Sequence, residues 1–123
     1  MRKSLAIFFI LLFPSLSFGG VVNLIRVNKV INPATSEFIL KSIERAKESG
    51  AECLVVELDT PGGLLESTRE IVKGFFGSAT PIVVYVAPSG ARAGSAGVFI
   101  TMASHIAAMA PGTNIGAAHP VMG

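Results

Sequence analysis

The stretch "SGARAGSAGVF" sets Ser95 among residues with almost no side chain: Gly90, Ala91, Ala93, Gly94, Ala96 and Gly97. It follows an apolar run, "IVVYVA", and precedes another apolar segment, a strand-to-helix junction by its pattern. A serine at a helix N-terminus sits beside backbone N–H groups that have no partner within the helix, and the helix dipole adds partial positive charge there. A second glycine-rich loop, "DTPGG", follows "CLVVEL", and its Gly62 and Gly63 can present bare backbone N–H groups. A hydroxyl beside two such donors is what acyl transfer needs: the oxygen attacks and the donors hold the oxyanion, each worth about 3 kcal/mol of transition-state stabilisation. Spacing alone leaves a second reading open, in which Ser95 is an N-cap and Gly62-Gly63 a tight turn. The pattern around Ser95 is "AGSAG". It lacks the distant Asp and His that follow the nucleophile elbow of larger hydrolases.

Two loops meet only if the elements before them are neighbours. "VVNLIRV" (21–27) reads as a first strand. Asn32 and Pro33 open a helix, as cap and first helical residue, and it runs through "ATSEFILKSIERAKES" to a stop at Gly50. Ile39, Ile43 and Ala46 share its apolar face, and Lys41, Glu44, Arg45, Lys47 and Glu48 face water. "CLVVEL" reads as a parallel strand buried on both faces. "LLESTREIVKGFFG" is a second amphipathic helix ended by Gly77, "IVVYVA" a third strand and "SAGVFITMAS" a short helix. "HIAAMA" is a fourth strand, and "PGTNIG" is expected to turn. This alternation argues for one α/β domain with parallel strands joined by right-handed crossovers, where ligand sites gather at the carboxyl ends of strands.

Bulk properties remove several classes of function. A formal charge of +2 on 123 residues, with no basic patch interleaved with aromatics, gives no reason to expect nucleic acid. One cysteine excludes an intrachain disulfide, and Cys53 reads as a small buried hydrophobe; with two histidines, no metal or other cofactor is expected. Arg2 and Lys3 followed by the nine apolar residues Leu5 to Phe13, with small Ser15, Ser17 and Gly19 after them, make residues 1–19 a signal peptide. The domain then covers 20–123 and is exported, to the periplasm or the extracytoplasmic face of the membrane. "AAHPVMG" offers no helix to cover the last strand, so the sequence reads as the front part of a longer protein.

"INPATSEFI", "VVELDTPGG", "APSGARAGSAGVFITMAS" and "APGTNIGAAHPV", in that order, resemble the N-terminal protease domain of NfeD-type proteins, membrane-bound serine proteases of the ClpP superfamily. The resemblance runs from Val21 to Gly123. It implies a ClpP/crotonase-like spiral of βαβ units with mostly parallel strands, incomplete at the C-terminus. It implies Ser95 as nucleophile, the N–H groups of Gly62 and Ala96 as oxyanion hole, and Gly63 and Gly94 beside the substrate strand. It further implies a protein substrate with a hydrophobic segment, a stomatin-like membrane protein among the candidates. Homo-oligomers, and membrane attachment through regions absent from this sequence, follow from it too. The base in such proteins is a lysine some forty residues past the serine, whereas this sequence has no lysine after Lys73. Lys29, Lys41, Lys47 and Lys73 read as solvated. ClpP itself uses a histidine, and His119 follows Ser95 by 24 residues, so His119 stands as the rival base or as a site-lining residue. His105 reads as a surface or cap residue. Asp59 reads as a brace for its loop, and Arg92 as a ligand for a substrate carboxylate or a loop brace. Three alternatives remain: a signal-peptide-peptidase-like protease, a crotonase-type acyl-CoA enzyme that an export signal disfavours, and a non-catalytic peptide-binding module of the same fold.

Overall fold

The computed structural model describes residues 19–119. The signal-peptide reading therefore falls, but for Gly19, outside the described residues. Strand β1 (Val22–Asn28) leads into helix α1 (Pro33–Glu48), then β2 (Cys53–Asp59), α2 (Leu65–Phe76) and β3 (Ile82–Val86). The chain continues through β4 (Arg92–Gly94), α3 (Ala96–Ala103), β5 (Ile106–Met109) and β6 (Asn114–Gly116). No helix among the described residues is long and apolar enough to cross a membrane.

The local signals act as their chemistry predicts. The Asn32 side chain accepts from the Thr35 N–H at 2.9 Å and caps α1. Ile39, Ile43 and Ala46 are buried, and the charged positions of α1 are exposed. Gly77 follows the last turn of α2, its N–H bonded to the Lys73 carbonyl.

Four strands form a parallel sheet in the order β1-β2-β3-β5. Each crossover steps in the same direction, and right-handed crossovers then stack all the helices on one face. Leu54, Val56 and Leu58 of β2, in register with Ile82, Val84 and Val86 of β3, form the core beneath those helices with Ile39, Ile71, Phe75 and Ile100. Among the described residues the opposite face stays open. Val22 and Leu24 of β1 and Ile106 of β5 are more than half exposed there. This corrects the expectation that β2 is buried on both faces, and with it the reading of Cys53, which is half-buried on the open side.

The third difference lies at the loops. "APSGARAGS" and "PGTNIG", read as loop and turn, contain β4 and β6, which pair in parallel as a second, two-stranded sheet. Three-residue strands carry no apolar alternation to betray them, and only their mutual hydrogen bonds define them.

Candidate active site

The small sheet carries Ser95 to the end of β2. Thr60, directly after β2, bridges Ala93 of β4: its N–H donates to the Arg92 carbonyl at 2.8 Å, and its carbonyl accepts from Gly94 at 2.9 Å. The Asp59 carboxylate accepts from the Arg92 N–H at 3.1 Å, so Asp59 braces the two loops against each other. The Arg92 side chain is exposed. On the far side of β4, the Ser95 N–H donates to the Gly116 carbonyl of β6 at 2.9 Å.

Ser95 itself has φ 50 and ψ −109. That is close to the first central position of a type II′ turn, where glycine is the usual occupant. A serine held there costs about 1–3 kcal/mol and persists only where its surroundings enforce it. The result is a sharp strand-to-helix elbow with a half-buried serine at its tip and no hydrogen bond from its side chain to the helix it caps. The N-cap reading of Ser95 therefore describes its place and not a capping bond. Ala96 opens α3, and as the first helical residue its N–H has no partner within the helix.

The small residues around Ser95 are there for the other loop. A Cβ on Gly62 would lie 2.6 Å from Ser95 Cβ, one on Gly94 3.0 Å from the Pro61 carbonyl oxygen, and one on Gly97 2.8 Å from Thr60 Cγ2. The space that these small residues leave is filled, in part, by "TPGG".

Gly62 and Gly63 differ in what they offer. The Gly62 N–H donates to Thr60 Oγ1 at 3.1 Å, so the donor that the family resemblance implies for an oxyanion hole already has a partner. The Gly62 carbonyl accepts from Ile31, and the Leu64 N–H donates to the Ile31 carbonyl, both at 2.8 Å. Between them Gly63 is extended, and its own N–H and C=O point away from Ile31, since successive residues of a strand alternate direction. Gly63 is exposed, and its N–H makes no hydrogen bond among the described residues. Thr60, fully buried, is a site residue that the sequence reading passed over; a β-branched hydroxyl directly before Pro-Gly-Gly was the available signal.

The base candidates do not join this cluster. His119, the last described residue, is exposed, and no hydrogen bond links it to Ser95. Lys29, Lys41, Lys47 and Lys73 are all exposed, and Lys41 pairs with Glu37 at 2.6 Å. His105 serves the fold: its Nδ1 accepts from the Ile82 N–H at 3.0 Å while its own N–H donates to the Ile82 carbonyl, which extends the β3/β5 ladder by one residue.

Comparison with known proteins gives this geometry its context. The family described as NfeD1b, N-terminal domain, matches residues 21–123. The membrane-bound protease PH1510 of Pyrococcus horikoshii is 38% identical over 126 residues, spanning 100% of this chain and 28% of that protein. The membrane protein NfeD1b of Bacillus subtilis is 33% identical over 102 residues, 83% of this chain and 23% of that protein. The chain thus spans about a quarter of the length of these curated relatives. Two solved structures of the 1510-N membrane-bound stomatin-specific protease superpose on it. One is a serine-to-alanine mutant, at TM-score 0.85 and 37% identity over 87% of this chain and 52% of that one. The other is a lysine-to-alanine mutant in complex with a substrate peptide, at TM-score 0.83 and 38% identity over 87% and 49%. ClpP1 from Listeria monocytogenes, 18% identical at TM-score 0.67 over 76% of this chain and 55% of that one, shares the fold.

Proposed function

Because the chain belongs to the NfeD1b N-terminal domain family, on a ClpP-like fold, we propose that it is a serine endopeptidase domain acting by acyl-enzyme chemistry. The observation that carries this reading is the elbow at Ser95, strained at φ 50 and pressed against Gly62. In the proposed mechanism Ser95 Oγ attacks the scissile carbonyl, the amine leaves with a proton, and water then hydrolyses the ester. The negative charge on the tetrahedral oxygen is held by two backbone N–H groups. One is that of Ala96. The other we assign to Gly63 in place of Gly62, because the Gly62 N–H is engaged by Thr60. The open edge of Gly63 also suits an extended substrate strand, with Gly94 behind Ser95 and its N–H spent on Thr60.

The base is proposed to be a lysine supplied by chain outside these 123 residues, since every lysine among the described residues is exposed on another surface. Support comes from the solved relatives, one with a serine and one with a lysine replaced by alanine. By itself this chain is then proposed to be inactive or nearly so, with His119 the only rival base it carries. The proposed substrate is a hydrophobic segment of a stomatin-like membrane protein, in line with the relative's description as stomatin-specific. Residues 1–19 are proposed to be a signal peptide, which would set the domain on the outer face of the membrane.

A fluorophosphonate probe read by intact mass tests the site. The full chain is compared with a version extended by the downstream sequence, each with its Ser95→Ala variant. One adduct on the extended protein, absent from its Ser95→Ala form, is the expected result. Absence of any adduct on a folded extended protein would favour the peptide-binding module.

A further inference from the structure

Strand β1 is an edge that nothing among the described residues covers. It pairs with β2 on one side and with no strand on the other. Its seven residues stay in register from Val22 to Asn28, with no proline and no bulge. Edges are normally blunted by such interruptions, by short length or by a covering element, because a bare row of backbone N–H and C=O groups pairs with an extended chain that comes near. The other edge of the same sheet, β5, is only four residues long.

Helix α1 runs back along this edge and leaves two grooves, of about 260 and 300 Å3, on either side of Phe38. Phe38 lines both and is 42% exposed. The groove toward the end of β1 holds Lys29, and the one toward its start holds Arg45. Both residues are exposed, and neither makes an ion pair among the described residues. Arg26 lies between them on β1. It gives only its Nε to Glu57, at 3.3 Å, and its side chain stays 73% exposed. No carboxylate lines either groove. Lys29 and Arg45 are far apart in the sequence and share a surface only because α1 folds back on β1, so no basic run announces them.

We propose that the β1 edge takes an extended acidic peptide of a partner protein as an added strand. Backbone pairing to β1 supplies the register, apolar residues of the peptide rest on Phe38, and one carboxylate faces Lys29 while another faces Arg45. A seven-residue strand spans about 20 Å, so the two carboxylates belong near opposite ends of a segment of that length. Charge selects this occupant over a second copy of the chain. Two copies joined antiparallel through β1 would set the Lys29 of each beside the Arg45 of the other, cation against cation. The site shares no residue with the cluster around Ser95 and stands whether or not that serine is a nucleophile.

A synthetic peptide tests it on the full chain. Seven residues, with threonine and valine alternating between two terminal aspartates, put both aspartates and two valines on one face. Fluorescence anisotropy at low salt is expected to show saturable binding, with Kd on the order of 100 μM, weakening as salt is added. Lys29→Glu and Arg45→Glu are exposed changes that leave the fold intact, and each should weaken binding at least threefold. A peptide with terminal lysines, and one with proline at its centre, should each bind at least tenfold more weakly. Hydrogen exchange should slow in β1 on binding and stay unchanged in β5. No saturable binding, equal binding of the lysine or proline peptide, or protection elsewhere than β1 overturns the proposal. So does sedimentation showing a dimer that Lys29→Glu alters, which would give the edge to a second copy.

Discussion

Gly62 and Ser95 touch through the one position where Gly62 could carry a side chain: a Cβ there would stand 2.6 Å from Ser95 Cβ and 3.2 Å from Oγ. Gly62 also has φ +119, which strains any L side chain. Gly62→Ala is therefore expected to destabilise the fold by about 1–3 kcal/mol and to push the two loops apart. Urea denaturation reads the first effect. Fluorophosphonate labelling of the extended protein reads the second, and should fall at least tenfold. Unchanged labelling would mean that the Gly62–Ser95 contact does not set the site.

The elbow stores strain that the fold does not need. Ser95→Ala keeps the backbone problem, since alanine is no freer than serine at φ 50, and should change stability by less than about 0.5 kcal/mol. Ser95→Gly relieves it and should be the more stable of the two by about 1 kcal/mol, with labelling abolished in both. Equal stability for the two variants, measured by denaturant midpoint, would show that the serine conformation carries no strain.

These two residues also mark where sequence reading stops. The alternation of elements, the Asn32 cap and the apolar face of α1 are local patterns, and a sequence displays local patterns. The loops "DTPGG" and "AGSAG" were legible as a pair for the same reason. The positive φ of Ser95 was not, because the glycines beside it are the residues expected to take such a conformation. Strands β4 and β6 were not legible because "RAG" and "NIG" become strands only by pairing with each other across some twenty residues. The bare face of the sheet follows from strand order, a property of the whole chain. The choice of Gly63 over Gly62 turns on one hydrogen bond, from the Gly62 N–H to Thr60 Oγ1, which spacing does not encode.

That bond is open to a direct test. Thr60 is fully buried; its Oγ1 accepts from the Gly62 N–H, and its Cγ2 sits where a side chain on Gly97 would go. Thr60→Val keeps the shape and removes the acceptor, at a cost of about 1–3 kcal/mol. Thr60→Ser keeps the acceptor and removes one methyl, at about 1 kcal/mol. If Gly62 is held by Thr60 so that Gly63 faces the substrate, labelling of the extended protein should drop severalfold in Thr60→Val and largely survive in Thr60→Ser. Identical loss in the two variants would assign the effect to packing.

His119 separates the two bases. It is exposed, and no hydrogen bond ties it to Ser95, whereas a base must come within about 3 Å of the hydroxyl it deprotonates. His119→Ala in the extended protein is expected to lower the labelling rate less than threefold and to leave its pH dependence in place. Replacing the proposed downstream lysine with alanine should abolish labelling. The opposite outcome is equally readable. If His119→Ala abolishes labelling and the lysine variant still labels, the histidine takes the proton from Ser95 and the Ser–Lys reading falls.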